Sequence, residues 1–199
     1  MTHRNQASMA WHYTNSVGIG GILSSGTIRP SVVDLGPHEK PIVWFSTNQS
    51  IELTMMELAF QAEDGRYIRP KTLHEYRVLG FGIYRIGAPV AQLLRYVDLL
   101  SAAKIGLTRR RKLESVARQV GATPYEWMGQ LQPLQVTEAT PIEQFDGNSW
   151  RTADISAGDW LPVVMDEMEK MKPLAVAMIH DRKRSDPRPT ATKNIFRPA

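Results

Sequence analysis

The residue types best suited to chemistry lie in three short segments, all within the first 48 residues of this 199-residue chain. The segments are 11–14, 22–30 and 43–48. In an extended strand, His12 and Thr14 share one face and Tyr13 lies on the other. The planar guanidinium of Arg29 matches the geometry of phosphate oxygens. Together these residue types suit the binding of a dinucleotide.

The sequence excludes several other kinds of site. It contains no cysteine, which rules out a disulfide scaffold, a zinc–cysteine site and a thiol nucleophile. A dinucleotide fingerprint starting at Gly18 would need glycine where Leu23 stands, and the Gly-Lys pair of a P-loop is absent. The five histidines lack the spacing of metal ligands, and there is no Gly-x-Ser-x-Gly elbow. No metal site is therefore expected.

The order and spacing of the three segments resemble the motifs of the ADP-ribosyltransferase-like superfamily. In that superfamily a His-x-Thr strand is followed by a helix ending in Leu-x-x-Ile-Leu-x-x-Gly-Leu, and later by an apolar strand ending in a small hydroxyl residue. The corresponding residues here are His12-x-Thr14, Ile22-Leu23-x-x-Gly26-x-Ile28-x-Pro30 and Trp44-Phe45-Ser46-Thr47. The similarity covers residues 10–60. It is greatest to small bacterial and phage members, among them DNA-targeting toxins and NAD-using RNA 2′-phosphotransferases.

The resemblance implies NAD as the substrate and a split sheet with flanking helices as the fold. His12 would bind a ribose hydroxyl of NAD and take part in catalysis, and Thr14 and the neighbouring Tyr13 would help to hold the nucleotide. Ser46 and Thr47 would frame the nicotinamide pocket, and Arg29 would bind the diphosphate. An aromatic residue would stack on nicotinamide, and the candidates are Trp44, Phe45 and Tyr67.

The reaction implied is release of nicotinamide and transfer of ADP-ribose to a macromolecular acceptor, either protein or nucleic acid. Its oxocarbenium-like transition state needs a nearby carboxylate. The superfamily supplies a late glutamate at the start of a strand. Two residues fit this position, Glu143 and Glu138. Glu143 is preferred because its strand is bounded by a proline and a turn, although Pro141 replaces the acidic or amide residue of the usual motif.

Other interpretations of the same residues remain open. A strand histidine beside a tyrosine is often a half-buried structural residue, and Trp44 and Phe45 are often core. The domain could instead be a non-catalytic module that binds a nucleotide or a protein, encoded on a mobile element. The basic run 109–112 spreads around a whole helical turn and is typical of a solvated face.

The pattern of apolar and turn residues predicts the elements that position these side chains. Segments 10–14 and 42–45 are predicted strands, separated by a helix with Ser16 as its N-cap and Gly26 as its C′ residue. Further helices are predicted at 50–61, 90–100, 108–120 and 161–171, and further strands at 77–86, 133–136 and 142–145. Strands and helices alternate without regular βαβ units, which predicts the α+β class.

The positive charge is concentrated at the C-terminus. Residues 181–199 contain six basic and two acidic side chains, a net charge of +4, which equals that of the whole chain. We expect a disordered lead at 1–9, one NAD-binding domain at 10–180, and a flexible basic tail at 181–199 that contacts nucleic acid weakly. With no long apolar run and no apolar leader, a cytoplasmic location without membrane contact is expected.

Overall fold

The computed structural model describes residues 8–32, 35–62, 65–155 and 160–185. Its strands are β1 (Met9–Asn15), β2 (Thr27–Ile28), β3 (Val43–Ser46), β4 (Phe60–Gln61), β5 (Tyr67–Ile68), β6 (Ile83–Pro89), β7 (Leu94–Arg95), β8 (Trp127–Gln130), β9 (Leu134–Gln135), β10 (Ile142–Phe145) and β11 (Trp150–Thr152). Its α-helices are α1 (Ser16–Ser25), α2 (Leu73–Leu79), α3 (Tyr96–Ala102), α4 (Leu107–Val120) and α5 (Trp160–Ser185). The predicted α+β class is confirmed, since helices accompany a sheet whose pairs are antiparallel.

Seven strands form the main sheet in the order β11-β10-β6-β1-β3-β8-β7. β1 pairs with β6 along its whole length, from Met9 opposite Pro89 to Asn15 opposite Ile83. On its other side β1 pairs with β3 through Trp11 and Ser46 alone. The sheet therefore divides between β1 and β3, the strands that carry two of the three N-terminal motifs.

The two faces of the sheet are covered by different elements. The face that carries His12 packs against α1 and α5 and forms the largest hydrophobic cluster, with Ile86, Phe45, Ile19 and Val164 among its buried members. The opposite face carries Trp11. It is covered by α2 and the segment between β3 and β4 on one side of the division, and by α3 and α4 on the other.

The ends of α1 are set by local side chains and by a glycine. The Asn15 side chain accepts a hydrogen bond from the Gly18 N–H at 2.9 Å, so Asn15 is the N-cap and the prediction of Ser16 is wrong. Ser16 is the first helical residue, and its hydroxyl donates to the Phe81 carbonyl at 2.5 Å. Gly26 ends the helix with φ of 66°, a conformation that favours glycine, as predicted.

In the first 86 residues, one predicted helix is wrong and one predicted strand is right only in its last part. Residues 50–61 form a short 3-10 turn at Leu53–Glu57 and then β4, because the Glu52 side chain caps the turn and β4 pairs with β5. In the predicted strand 77–86, the first part is the end of α2. Phe81 and Gly82, with φ of 58° and 131°, then turn the chain into β6.

Three of the elements predicted after residue 100 are present in the structure. The prediction of a helix at 108–120 and of strands at 133–136 and 142–145 is confirmed by α4, β9 and β10. The predicted helix 90–100 begins instead as a 3-10 turn and β7, and only its end belongs to α3.

The C-terminal helix is longer than the sequence indicated. α5 extends from Trp160 to Ser185, where 161–171 was predicted, so the predicted flexible tail is helical up to Ser185. The remainder of that tail and residues 1–7 of the predicted lead lie outside the described residues. Among the helices that the structure describes, none is long and apolar enough to cross a bilayer.

Candidate functional site

His12 lies at the division of the sheet, and its imidazole has a defined protonation state. Its Nδ1 is 2.9 Å from the Trp44 carbonyl oxygen, which can only accept, so Nδ1 carries the proton and donates it. Burial lowers the pKa of His12, and the hydrogen bond to Trp44 opposes this in part. The neutral ring therefore has an acceptor lone pair on Nε2, and no described residue donates a hydrogen bond to that nitrogen.

Thr14 lies on the same face as His12 and is closely confined. A Cβ atom at Gly18 would lie 2.0 Å from the Thr14 hydroxyl oxygen, so the glycine leaves room for that hydroxyl against α1. Thr14 is opposite Tyr84, which is in turn opposite Gln144 in β10. Cross-strand partners share a face, so β10 presents Gln144, and not a glutamate, on the side of His12.

Ser46 and Thr47, the predicted walls of the nicotinamide pocket, form hydrogen bonds with backbone groups of the protein. Ser46 is buried, and its hydroxyl oxygen accepts from the Asn48 N–H at 3.2 Å. Thr47 donates from its N–H to the Glu126 carbonyl at 2.8 Å and from its hydroxyl to the same oxygen at 3.3 Å. Ser46 is opposite Trp11, so it lies on the face away from His12.

The aromatic candidates are distributed over both faces. Phe45 shares the face of His12, and the two ring centroids are 5.8 Å apart. Trp44 lies on the opposite face and packs edge-to-face on Trp127 at 6.1 Å. Tyr67 is in β5, outside the main sheet.

Two other candidates are exposed. Arg29 follows β2, and Glu138 lies between β9 and β10. In the described part of the chain, neither forms a hydrogen bond or an ion pair with His12.

Glu143 is held on the face opposite to His12. It is opposite Arg85 in β6, which is opposite Tyr13 in β1. Oε2 of Glu143 accepts from Nε of Arg85 at 2.7 Å and lies 2.5 Å from its Nη2. The Arg85 side chain is 7% exposed and that of Glu143 is 25% exposed. The structure therefore does not bring the predicted catalytic pair, His12 and Glu143, together.

Arg85 is the centre of a cluster that sequence analysis missed. Its guanidinium lies between two indole rings, 4.0 Å from the centroid of Trp11 and 4.3 Å from that of Trp150. It also donates from Nη1 to the Gln49 carbonyl at 2.6 Å. A single arginine inside an apolar strand was the available signal, because a buried charge requires partners. This signal was not recognised because residues 77–86 were predicted as a single strand, whereas the structure divides them between α2 and β6.

Tyr13 borders the Arg85 cluster. Its hydroxyl donates to the Asn48 carbonyl at 2.7 Å, and its ring contacts Trp150 edge-to-face at 5.7 Å. Burial, with a smaller contribution from the Glu52 and Glu143 carboxylates, raises the pKa of Tyr13 to about 12, against the opposing effect of Arg85. The phenol thus remains protonated at neutral pH and keeps its role as a donor.

No protein-family model, curated protein or solved structure matches this chain. Within the described residues, no group of three or more His, Asp or Glu side chains could hold a metal ion. Functional assignment therefore depends on the geometry of the two faces. One face has a neutral histidine whose Nε2 accepts no hydrogen bond from the described residues, and the other has an ion pair that packs against two tryptophan rings.

Proposed function

We propose that this chain binds a nucleotide of the NAD class at the division of the sheet, through His12, without turning it over. The observation that carries the proposal is the fixed tautomer of His12. With Nδ1 donating to Trp44, Nε2 accepts a hydrogen bond from a ribose hydroxyl. Thr14 lies two residues further along the same face and would contribute its hydroxyl group, which packs against α1.

The proposal includes an ADP-ribosyltransferase-like fold. Three features support it: a seven-stranded sheet that divides beside the His-x-Thr strand, the helix α1 that follows this strand, and Gly26 at the end of that helix. Antiparallel pairing and helices on both faces agree with the same architecture.

Binding is favoured over transfer by the position of the late glutamate. Loss of nicotinamide creates positive charge on the ribose, and a carboxylate close to that sugar is needed to stabilise it. On the face of His12, β10 presents Ile142 and Gln144. Glu143 lies on the other face and is paired with Arg85.

The test is NAD binding to the purified protein, measured by calorimetry and by the shift in unfolding temperature. We expect His12→Ala to weaken binding about tenfold, because one hydrogen bond is lost. His74→Ala, at an exposed histidine in α2, should bind as the unsubstituted protein does. No binding by the unsubstituted protein, or equal binding by His12→Ala, would overturn the proposal.

A second candidate is NAD-dependent transfer of ADP-ribose to a macromolecular acceptor, with Glu143 as the carboxylate. The observation that favours it is the orientation of Glu143, which is fixed by Arg85 while a quarter of its side chain remains exposed. Labelled NAD incubated with a cell lysate would reveal transfer, and nicotinamide release would reveal hydrolysis. An enzyme should lose turnover in Glu143→Gln while retaining NAD binding; absence of turnover in the unsubstituted protein would eliminate this candidate.

A further inference from the structure

Helix α4 is rich in basic residues. It contains five basic residues and one acidic residue between Leu107 and Val120. Ala117 is its only fully buried residue, and Leu113 packs beside it against the cluster of α3 and β8. Six of its fourteen residues are exposed and seven are half-buried.

The basic residues of α4 fall into two groups with different surroundings. Arg109 pairs with Glu39 at 3.3 Å and Arg110 pairs with Glu114 at 2.8 Å. The first pair joins the helix to the segment between β2 and β3, and the second lies within the helix. The other three basic side chains, which are Arg111, Lys112 and Arg118, are all exposed.

The exposed basic residues share one side of the helix. At 100° per residue, Arg111, Lys112 and Arg118 fall within about a third of the helix circumference. The same strip contains three uncharged polar residues, whose side chains are able to form hydrogen bonds, and no acidic residue. These are Thr108, Ser115 and Gln119. We call these six residues the α4 strip.

We infer that the α4 strip is a nucleic-acid-binding surface that contacts the phosphate backbone. Phosphate oxygens in protein–nucleic acid complexes are contacted by Arg and Lys and by Ser, Thr, Asn and Gln, which are the residue types of the strip. An arginine fork can bind two phosphate oxygens at once. The inference concerns a surface distinct from His12 and does not depend on NAD binding.

The composition of α4 favours nucleic acid over a lipid surface. A helix that binds a membrane buries a broad apolar face in the lipid interface. Within α4, which the structure describes in full, Leu107 is the only large hydrophobic side chain that is exposed. The apolar residues Leu113 and Ala117 already pack against the protein.

The test uses the full chain and a fluorescently labelled mixed-sequence DNA of about 20 nucleotides, both single-stranded and as a duplex, over a range of salt concentrations. The variant is R111Q/K112Q/R118Q, since glutamine favours helix and each side chain is exposed. The matched control is K71Q/K170Q/K172Q, which removes the same charge from exposed positions elsewhere. Unfolding temperatures of both variants should equal that of the unsubstituted chain.

The strip variant should bind either DNA at least about tenfold more weakly than the unsubstituted chain at low salt. The slope of log K against log salt concentration should also become shallower, by about two to three. The control should stay within about twofold of the unsubstituted chain. Equal weakening by both variants, no weakening by the strip variant, or a chain that binds anionic phosphatidylserine vesicles but not DNA would overturn the inference.

Discussion

At the scale of single residues, charge burial decides how the sheet is built around Arg85. A guanidinium removed from water is stable only when its donors are satisfied and its planar faces are covered. Glu143 and the Gln49 carbonyl supply acceptors, and Trp11 and Trp150 cover the two faces. The primary role of Glu143 is therefore to pair with Arg85. Any catalytic role of Glu143 must leave this ion pair intact.

His12 provides a prediction about pH. Because burial lowers its pKa in the folded protein, the unfolded chain takes up a proton first as pH falls below about 6.5. The stability associated with the neutral ring is present above that pH and is lost as pH falls towards the folded pKa. His12→Asn retains a donor for Trp44 but cannot titrate, so it should lose less stability between about pH 7 and about pH 5. Urea unfolding at both pH values measures the difference, and equal losses in the two proteins would contradict it.

At the scale of elements, the close approach of strands and helices depends on small residues. Gly129 in β8 lies between β3 and β7 and beneath α3. A Cβ atom there would be 2.3 Å from the Val43 carbonyl oxygen and 3.0 Å from Leu99. Neither neighbour can move without disturbing the pairing of β3 with β8 or the packing of α3.

Gly129→Ala should therefore destabilise the protein by about 3 kcal/mol, the upper part of the range for overpacking. Gly21→Ala is the matched control, since nothing lies within 4 Å of the added methyl group. As Gly21 is within α1, its replacement should stabilise the protein by about 0.5–1 kcal/mol. Denaturant unfolding gives both values, and a neutral Gly129→Ala would show that β8 can shift.

At the scale of the whole molecule, α5 connects two hydrophobic clusters. Val164 belongs to the large cluster on the face of His12. One end of the helix thus packs on the sheet, while Met171 and Ala175 pack further along with Val78 and Leu79 of α2. The ion pair between Arg77 and Glu167, at 3.0 Å, lies between the two contacts. We expect the sheet and α2 to unfold together because this helix contributes to both clusters.

Met171→Ala should lower the free energy of unfolding by about 2–4 kcal/mol, because the side chain is 6% exposed and its removal leaves a cavity. Tryptophan fluorescence reports mainly on the sheet, and far-UV circular dichroism on the helices. Both signals should shift to the same new midpoint. Two separated transitions would indicate that α2 and α5 unfold independently of the sheet.

The elements that the sequence predicted well are those whose signals are local. The apolar spacing of α4, the glycine that ends α1 and the bounded strand β10 each depend on a few neighbouring residues. The segment around Met55 has helical spacing but forms a 3-10 turn and β4. In that segment Glu52 caps the turn and β5 pairs with β4, and neither interaction follows from periodicity.

The sequence by itself determined the class of the fold, the strand that carries His12 and Thr14, and the position of α1 and Gly26 after it. Only the tertiary structure decided that His12 and Glu143 lie on opposite faces of the sheet. The physical reason is that side chains alternate between the two faces of a sheet, so a sequence shows which residues of one strand share a face. It does not show which face of one strand corresponds to which face of another. The face shared by β1 and β10 depends on their register with β6, which lies between them and is set by long-range hydrogen bonds.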